Sequence, residues 1–133
     1  MRSYELSSME YLKESVIDTR EGNIGGDPEG ITLYQSSDSE GYIILSSQGD
    51  SKYNIYDRIA PHSYLGSFRI IGDGRVDGAS DTDGIDVVNI RVPGRFQQGL
   101  LVVQDGFNTD GTDVMNQNFK IVDFKKVLDN LIK

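Results

Sequence analysis

The stretch Glu29–Asp57, EGITLYQSSDSEGYIILSSQGDSKYNIYD, decides the fold. Its apolar, β-rich runs Ile31–Tyr34, Tyr42–Ser46 and Tyr53–Arg58 are separated by the polar turns Ser36–Gly41 and Gln48–Ser51. After a further turn at Ala60–Ser63 a fourth run, Tyr64–Ile70, completes the series. Short β-branched and aromatic runs bounded by turn residues predict four strands in an antiparallel meander.

The same grammar recurs downstream. Glu29-Gly30-Ile31 returns as Asp83-Gly84-Ile85, and Gly41 with the run Tyr42–Leu45 returns as Gly99 with Leu100–Val103. Gln48 is matched to Gln104, and Tyr53–Asp57 to Phe119–Asp123. The offsets grow along the chain, which places insertions in two loops, the larger between Asp105 and Gln117. A four-stranded unit that repeats after about fifty residues reads as a β-propeller blade. The expected class is therefore all-β, with antiparallel four-stranded blades of a partial propeller, about two blades plus edge strands. On this reading residues 1–18 give outer strands of a preceding blade and 27–71 one complete blade. Residues 82–123 give three strands of the last blade, and 124–133 a short C-terminal helix in which Val127, Leu128 and Leu131 share a face. Near the start, Arg2–Leu6 and Val16–Asp18 are strand candidates and Ser8–Glu14 a turn or two of helix. Two blades cannot close a ring, so the chain reads as the C-terminal part of a larger protein; a self-sufficient small sandwich is the alternative.

Composition narrows the function. A net charge of -8 disfavours nucleic acid and favours cations or cationic complexes as partners. There are no cysteines, which excludes disulfides, thiolate metal sites and cysteine nucleophiles. No run approaches the roughly 20 apolar residues that span a bilayer, and Met1–Glu5 has no apolar core of a signal peptide. Asp77-Gly78-Ala79-Ser80-Asp81-Thr82-Asp83-Gly84-Ile85-Asp86 places four carboxylates within ten residues, without a lysine or arginine. Such a stretch either stays a solvated acidic turn or aims its oxygens at a hard cation, calcium before magnesium because the loop is flexible. The helix-flanked calcium loop does not fit. With Asp81, Asp83 and Gly84 in its third, fifth and sixth positions, Ala79 and Ile90 would fall on the first and twelfth. In the propeller reading the first strand of each blade lines the channel, so Glu29 and Asp83 meet at its mouth.

Several segments resemble the closing blades of the bacterial β-propeller phytases. They are Asp27-Pro28-Glu29-Gly30, Ser46-Ser47-Gln48-Gly49, Tyr56-Asp57-Arg58, the acidic stretch, Val103-Gln104-Asp105-Gly106 and Asn116-Gln117-Asn118-Phe119-Lys120. The resemblance implies a six-bladed, calcium-dependent, secreted enzyme that removes phosphate from phytate, or from calcium-phytate, at alkaline pH. It implies calcium ligands at Asp27, Glu29, Gln48, Asp77, Asp83, Asn108 and Asp110. Where the family pattern Asp-Gly-Glu-Asn-x-Asp has its glutamate, this chain has Phe107, which removes a ligand that Asp113 would have to replace. The lysines, arginines and tyrosine that hold substrate phosphate in the family belong to earlier blades, so those blades are implied as partners.

A non-catalytic calcium-stabilised β-module is the competing reading. His62, the only histidine, falls in a turn without a catalytic partner, which leaves no serine–histidine–acid triad to build. Arg69, Arg91 and Arg95 read as scattered surface charge, and the strand tyrosines and phenylalanines as packing between blades.

Overall fold

The structure, a computed structural model, describes residues 1–4 and 11–131. It is built from antiparallel sheets with one short helix, consistent with partial blades of a β-propeller. Strands β1 (Arg2–Tyr4) and β2 (Tyr11–Val16) pair as a two-stranded sheet. Residues 11–14 are thus strand where a helical turn was expected, because pairing with β1 overrides local helix propensity; residues 8–10 lie outside the described residues.

Strands β3 (Pro28–Gln35), β4 (Gly41–Ser47), β5 (Lys52–Asp57) and β6 (Tyr64–Phe68) form a four-stranded sheet in sequential order, the expected meander. Strands β7 (Ile85–Val88) and β8 (Leu100–Asp105) are joined by β11 (Asn118–Asp123) in a three-stranded sheet, order β7-β8-β11. The insertion before β11 carries a two-residue hairpin, β9 (Thr109–Asp110) with β10 (Asp113–Val114). The chain then turns directly into helix α1 (Phe124–Leu131). No helix among the described residues is long and apolar enough to cross a membrane.

Burial explains why the sheets stack. Strand β4 is covered on both faces. Ile44 points into a core shared with Tyr34, Tyr53, Ile55, Val87, Leu101, Val103 and the helix residues Phe124 and Val127. Leu45 points the other way, into a smaller core with Ile24 and Tyr56. Alternation along β8, where Leu101 and Val103 are fully buried, aims the second sheet's inner face at the first. First strand lies against first strand: a Cβ on Gly30 would fall 2.5 Å from the Asp83 carbonyl and 2.9 Å from the Ile85 nitrogen.

The ladders fix the repeat more sharply than residue identities do. Ile31 pairs with Leu45 as Ile85 pairs with Val103, and Tyr42 pairs with Asp57 as Leu100 pairs with Asp123. Gly41 and Gly99 each press against the carbonyl closing the preceding strand, Tyr34 and Val88 respectively, leaving no room for a side chain. Asp57 accepts the amide of Ile59 at 2.7 Å and Asp123 that of Lys125 at 3.1 Å, the same turn in both units. In this register the counterpart of Gln104 is Ser46, not Gln48. The sequence match of the two glutamines is two residues out of step, because β4 and β8 are aligned by their pairing partners rather than by side-chain type.

A buried carboxylate ties the first sheet to the segment before it. Asp18 accepts the Tyr56 hydroxyl at 2.7 Å, the Thr19 amide at 2.8 Å, and the Asn23 amide and side chain at 3.0 Å each. Burial alone would raise its pKa, but the bonds from Asn23, Tyr56 and Thr19 outweigh that and hold it below the ordinary 3.8. Burial and the adjacent Asp18 charge push the Tyr56 hydroxyl far up, so it stays a donor. Asp18→Asn should therefore cost about 2–3 kcal/mol at neutral pH. The folded pKa is depressed, so this stability is present above the unfolded value and is lost as pH falls through the folded one. Urea unfolding should show the gap between wild type and variant closing below about pH 4. A gap that persists unchanged at lower pH would contradict the assignment.

Candidate functional site

The acidic stretch does not converge on a single point. Its uncharged residues anchor it: Ala79 and Thr82 are buried, the Thr82 hydroxyl lies 2.6 Å from the Tyr53 hydroxyl, and the Thr82 carbonyl accepts the Ser46 hydroxyl at 2.5 Å. Asp81, at φ 48°, is exposed. Asp86 accepts the Thr32 hydroxyl at 2.9 Å. Asp77 and Asp83 go to two separate groupings, so the ten residues behave as a two-sided connector.

The first grouping sits where β3 and β7 begin. The Asp27 carbonyl accepts the Gln48 amide at 2.9 Å, and Gln48 Nε2 donates to Asp83 Oδ1 at 2.5 Å. Gln48 opens a 3-10 turn, Gln48–Asp50, that joins β4 to β5, and its side chain reaches from there to the second sheet. Gln104 holds Asp83 from the other side, accepting its amide at 2.8 Å and donating to Gln117 at 3.2 Å. Sequence reasoning cast Gln104 only as a copy of Gln48. Its place next to the last pair of the β8–β11 ladder, opposite Phe119, is what makes it an orienting residue. Asp27 pairs with Arg20 at 3.0 Å, but both side chains are about two-thirds exposed, so the pair holds little energy and can exchange for a cation. Glu29 is exposed, and it is its neighbour Gly30 that lies against the Asp83 backbone.

The second grouping surrounds Lys120. Its ammonium donates to Asp77 Oδ1, to Asn108 Oδ1 at 2.9 Å, and pairs with Asp105 Oδ2 at 3.2 Å. Asp77 Oδ2 accepts the Thr109 amide at 2.6 Å and its hydroxyl at 3.2 Å. The Lys120 bond lowers the Asp77 pKa, with Thr109 assisting. Burial would lower the Lys120 pKa, but Asp77 and Asp105 outweigh it and raise it. Asn108 also accepts Asn118 Nδ2 at 2.8 Å and donates to the Asn116 carbonyl at 2.8 Å. Asp110 is exposed on β9, directly across the hairpin from Asp113.

The donor chemistry of the two groupings differs. Asp27, Glu29, Gln48 and Asp83 offer carboxylate and amide oxygens at adjacent strand starts, the hard donors calcium takes. Among the described residues no three acidic or histidine side chains converge tightly enough to hold a metal by themselves, so a full shell needs further oxygens. Around Lys120 the Asp77 and Asn108 side-chain oxygens are already hydrogen-bonded, while the buried Asp105 Oδ2 meets the ammonium only as an ion pair at 3.2 Å. His62 is a half-buried turn residue whose Nδ1 lies 3.2 Å from the Asp57 carbonyl.

The family model described as Phytase matches residues 3–133. A protein of Bacillus subtilis (strain 168) named 3-phytase is 38% identical over 120 residues. That alignment covers 90% of this chain and 31% of the relative, so the chain spans about a third of the relative's length.

Proposed function

The chain belongs to the phytase family, and from that premise we propose that it forms the closing blades of a calcium-dependent β-propeller enzyme hydrolysing phosphate monoesters of phytate. The observation that carries the reading is the meeting of β3 and β7, where Gln48 reaches from one sheet to Asp83 on the other. Bound there, calcium would neutralise phosphate charge and lower the pKa of a coordinated water. Asp27, Glu29 and Asp83 would supply ligands, joined by the Gln48 amide oxygen once that side chain turns over from its Nε2 bond to Asp83. Gln104 would keep Asp83 in place through its amide, and Gly30 would keep the two strand starts close. A polyanionic substrate approaching a chain of charge -8 needs cations between the two. The reading carries an extracellular setting, with the remaining blades of a longer polypeptide as the structural partner.

The test uses the complete polypeptide. Phosphate release from phytate should stop in a calcium chelator and return with calcium but not with magnesium. Asp83→Asn should reduce it by at least about 100-fold, more than loss of an outer-shell partner typically costs. Undiminished release in chelator, or an active Asp83→Asn variant, would refute the reading.

A further inference from the structure

Resemblance assigns Asp77, Asn108 and Asp110 to calcium, but the side chains around β9 are not arranged for a divalent ion. We propose that the Lys120 ammonium is the resident cation of this cluster, locking the loop between β8 and β11 without calcium.

Oxygen accounting comes first. Both oxygens of Asp77 are used, one by Lys120 and one by Thr109. Asp105 Oδ1 accepts the Ser80 amide at 3.1 Å and the Phe107 amide at 3.3 Å, while the buried Oδ2 accepts no hydrogen bond and has the Lys120 ammonium 3.2 Å away as its neutralising charge. Asn108 Oδ1 takes both Lys120 and Asn118. Calcium needs six to eight oxygens and would have to evict the ammonium to gain even three here. Phe107, half exposed where the family pattern has glutamate, adds no oxygen from its side chain.

The repeat supplies an independent argument. In the ladder register Asp105 corresponds to Ser47, and Lys120 to Asn54, since Leu45–Asn54 and Val103–Lys120 are matching pairs. The first sheet carries a neutral pair at these two positions, with Asn54 Nδ2 donating to the Asn23 carbonyl at 3.0 Å. The second sheet carries an acid and a base. The two positions differ between the sheets as a charge-balanced set, as a built-in ion pair requires. The Lys120 side chain is only 9% exposed and that of Asp105 1%, so neither charge would be tolerated alone.

The test compares unfolding midpoints of the complete polypeptide in calcium and in chelator. It stands whether or not the strand-start residues take calcium, because Asp77 is probed in both conditions. Asp77→Asn should lower the midpoint by several degrees, by the same amount in both. A loss seen only in calcium, and absent in chelator, would overturn the proposal. Lys120→Asn should be the more damaging change. Adding Asp105→Ser, which transplants the neutral pair of the first sheet, should recover at least about half of that loss without calcium. No recovery, or a Lys120→Asn protein as stable as wild type, would count against the lock. If Lys120→Asn does not fold, the Asp77→Asn comparison still decides.

Discussion

Given phytate and calcium, the 133 residues alone should release phosphate at least about a thousandfold more slowly than the complete polypeptide. The reason is charge placement. Arg20 is paired with Asp27, Lys52 with Asp50, and Arg75 with Asp73. Arg58 donates to the Ser37 and Glu40 carbonyls, Arg69 to the Asp50 carbonyl, and Arg91 to Gln97. Arg95 stacks over Phe96. Apart from Arg20, whose exposed pair with Asp27 can exchange, these cations are engaged in local contacts away from the start of β3 and β7, and among the described residues they form no clamp there. Orienting the substrate and stabilising charge in the transition state are each worth orders of magnitude, and this chain supplies few groups for either. Initial rates of phosphate release on both proteins check the prediction. Comparable turnover by the short chain would show that the acidic strand starts suffice.

The second large effect concerns stability. Phe124→Ala should cost about 3–5 kcal/mol. The Phe124 ring is fully buried, its centroid 4.4 Å from that of Tyr34, and it begins the helix that closes the core between the sheets. Its amide also donates to the Gly99 carbonyl at 3.2 Å, while the Tyr34 hydroxyl donates to the Gln98 carbonyl at 2.9 Å. Truncation would empty the point where two sheets and a helix meet. Urea unfolding of the complete polypeptide measures the loss. A change below about 1 kcal/mol would mean that the helix contributes little to holding the sheets together.

Much of the fold is legible because strands and turns leave period-2 alternation and turn residues in the chain. The meander from Pro28 to Phe68, the three strands after Asp83 and the terminal helix all agree with that reading. The insertion between Asp105 and Gln117 is where the extra hairpin lies. What failed depended on partners distant in sequence. Residues 11–14 look helical alone, but pair with β1. Gln48 and Gln104 look equivalent, but ladder pairing separates them by two positions. The acidic stretch looks like one site, yet buried Ala79 and Thr82 rotate its charges apart. Lys120 already matched Asn54 in the repeat, but only the folded chain shows that it points into a nest of acids.

Gly30 gives the arrangement its gauge. With the neighbouring strand's carbonyl where a methyl group would stand, the gap between the two sheets at this level is set by a hydrogen atom. Any larger residue would wedge the strands apart and carry Glu29 away from Asp83. On the proposed reading the bite open to an ion would be inherited from a side chain that is missing, and selection on the acids would constrain a position that bears no charge at all.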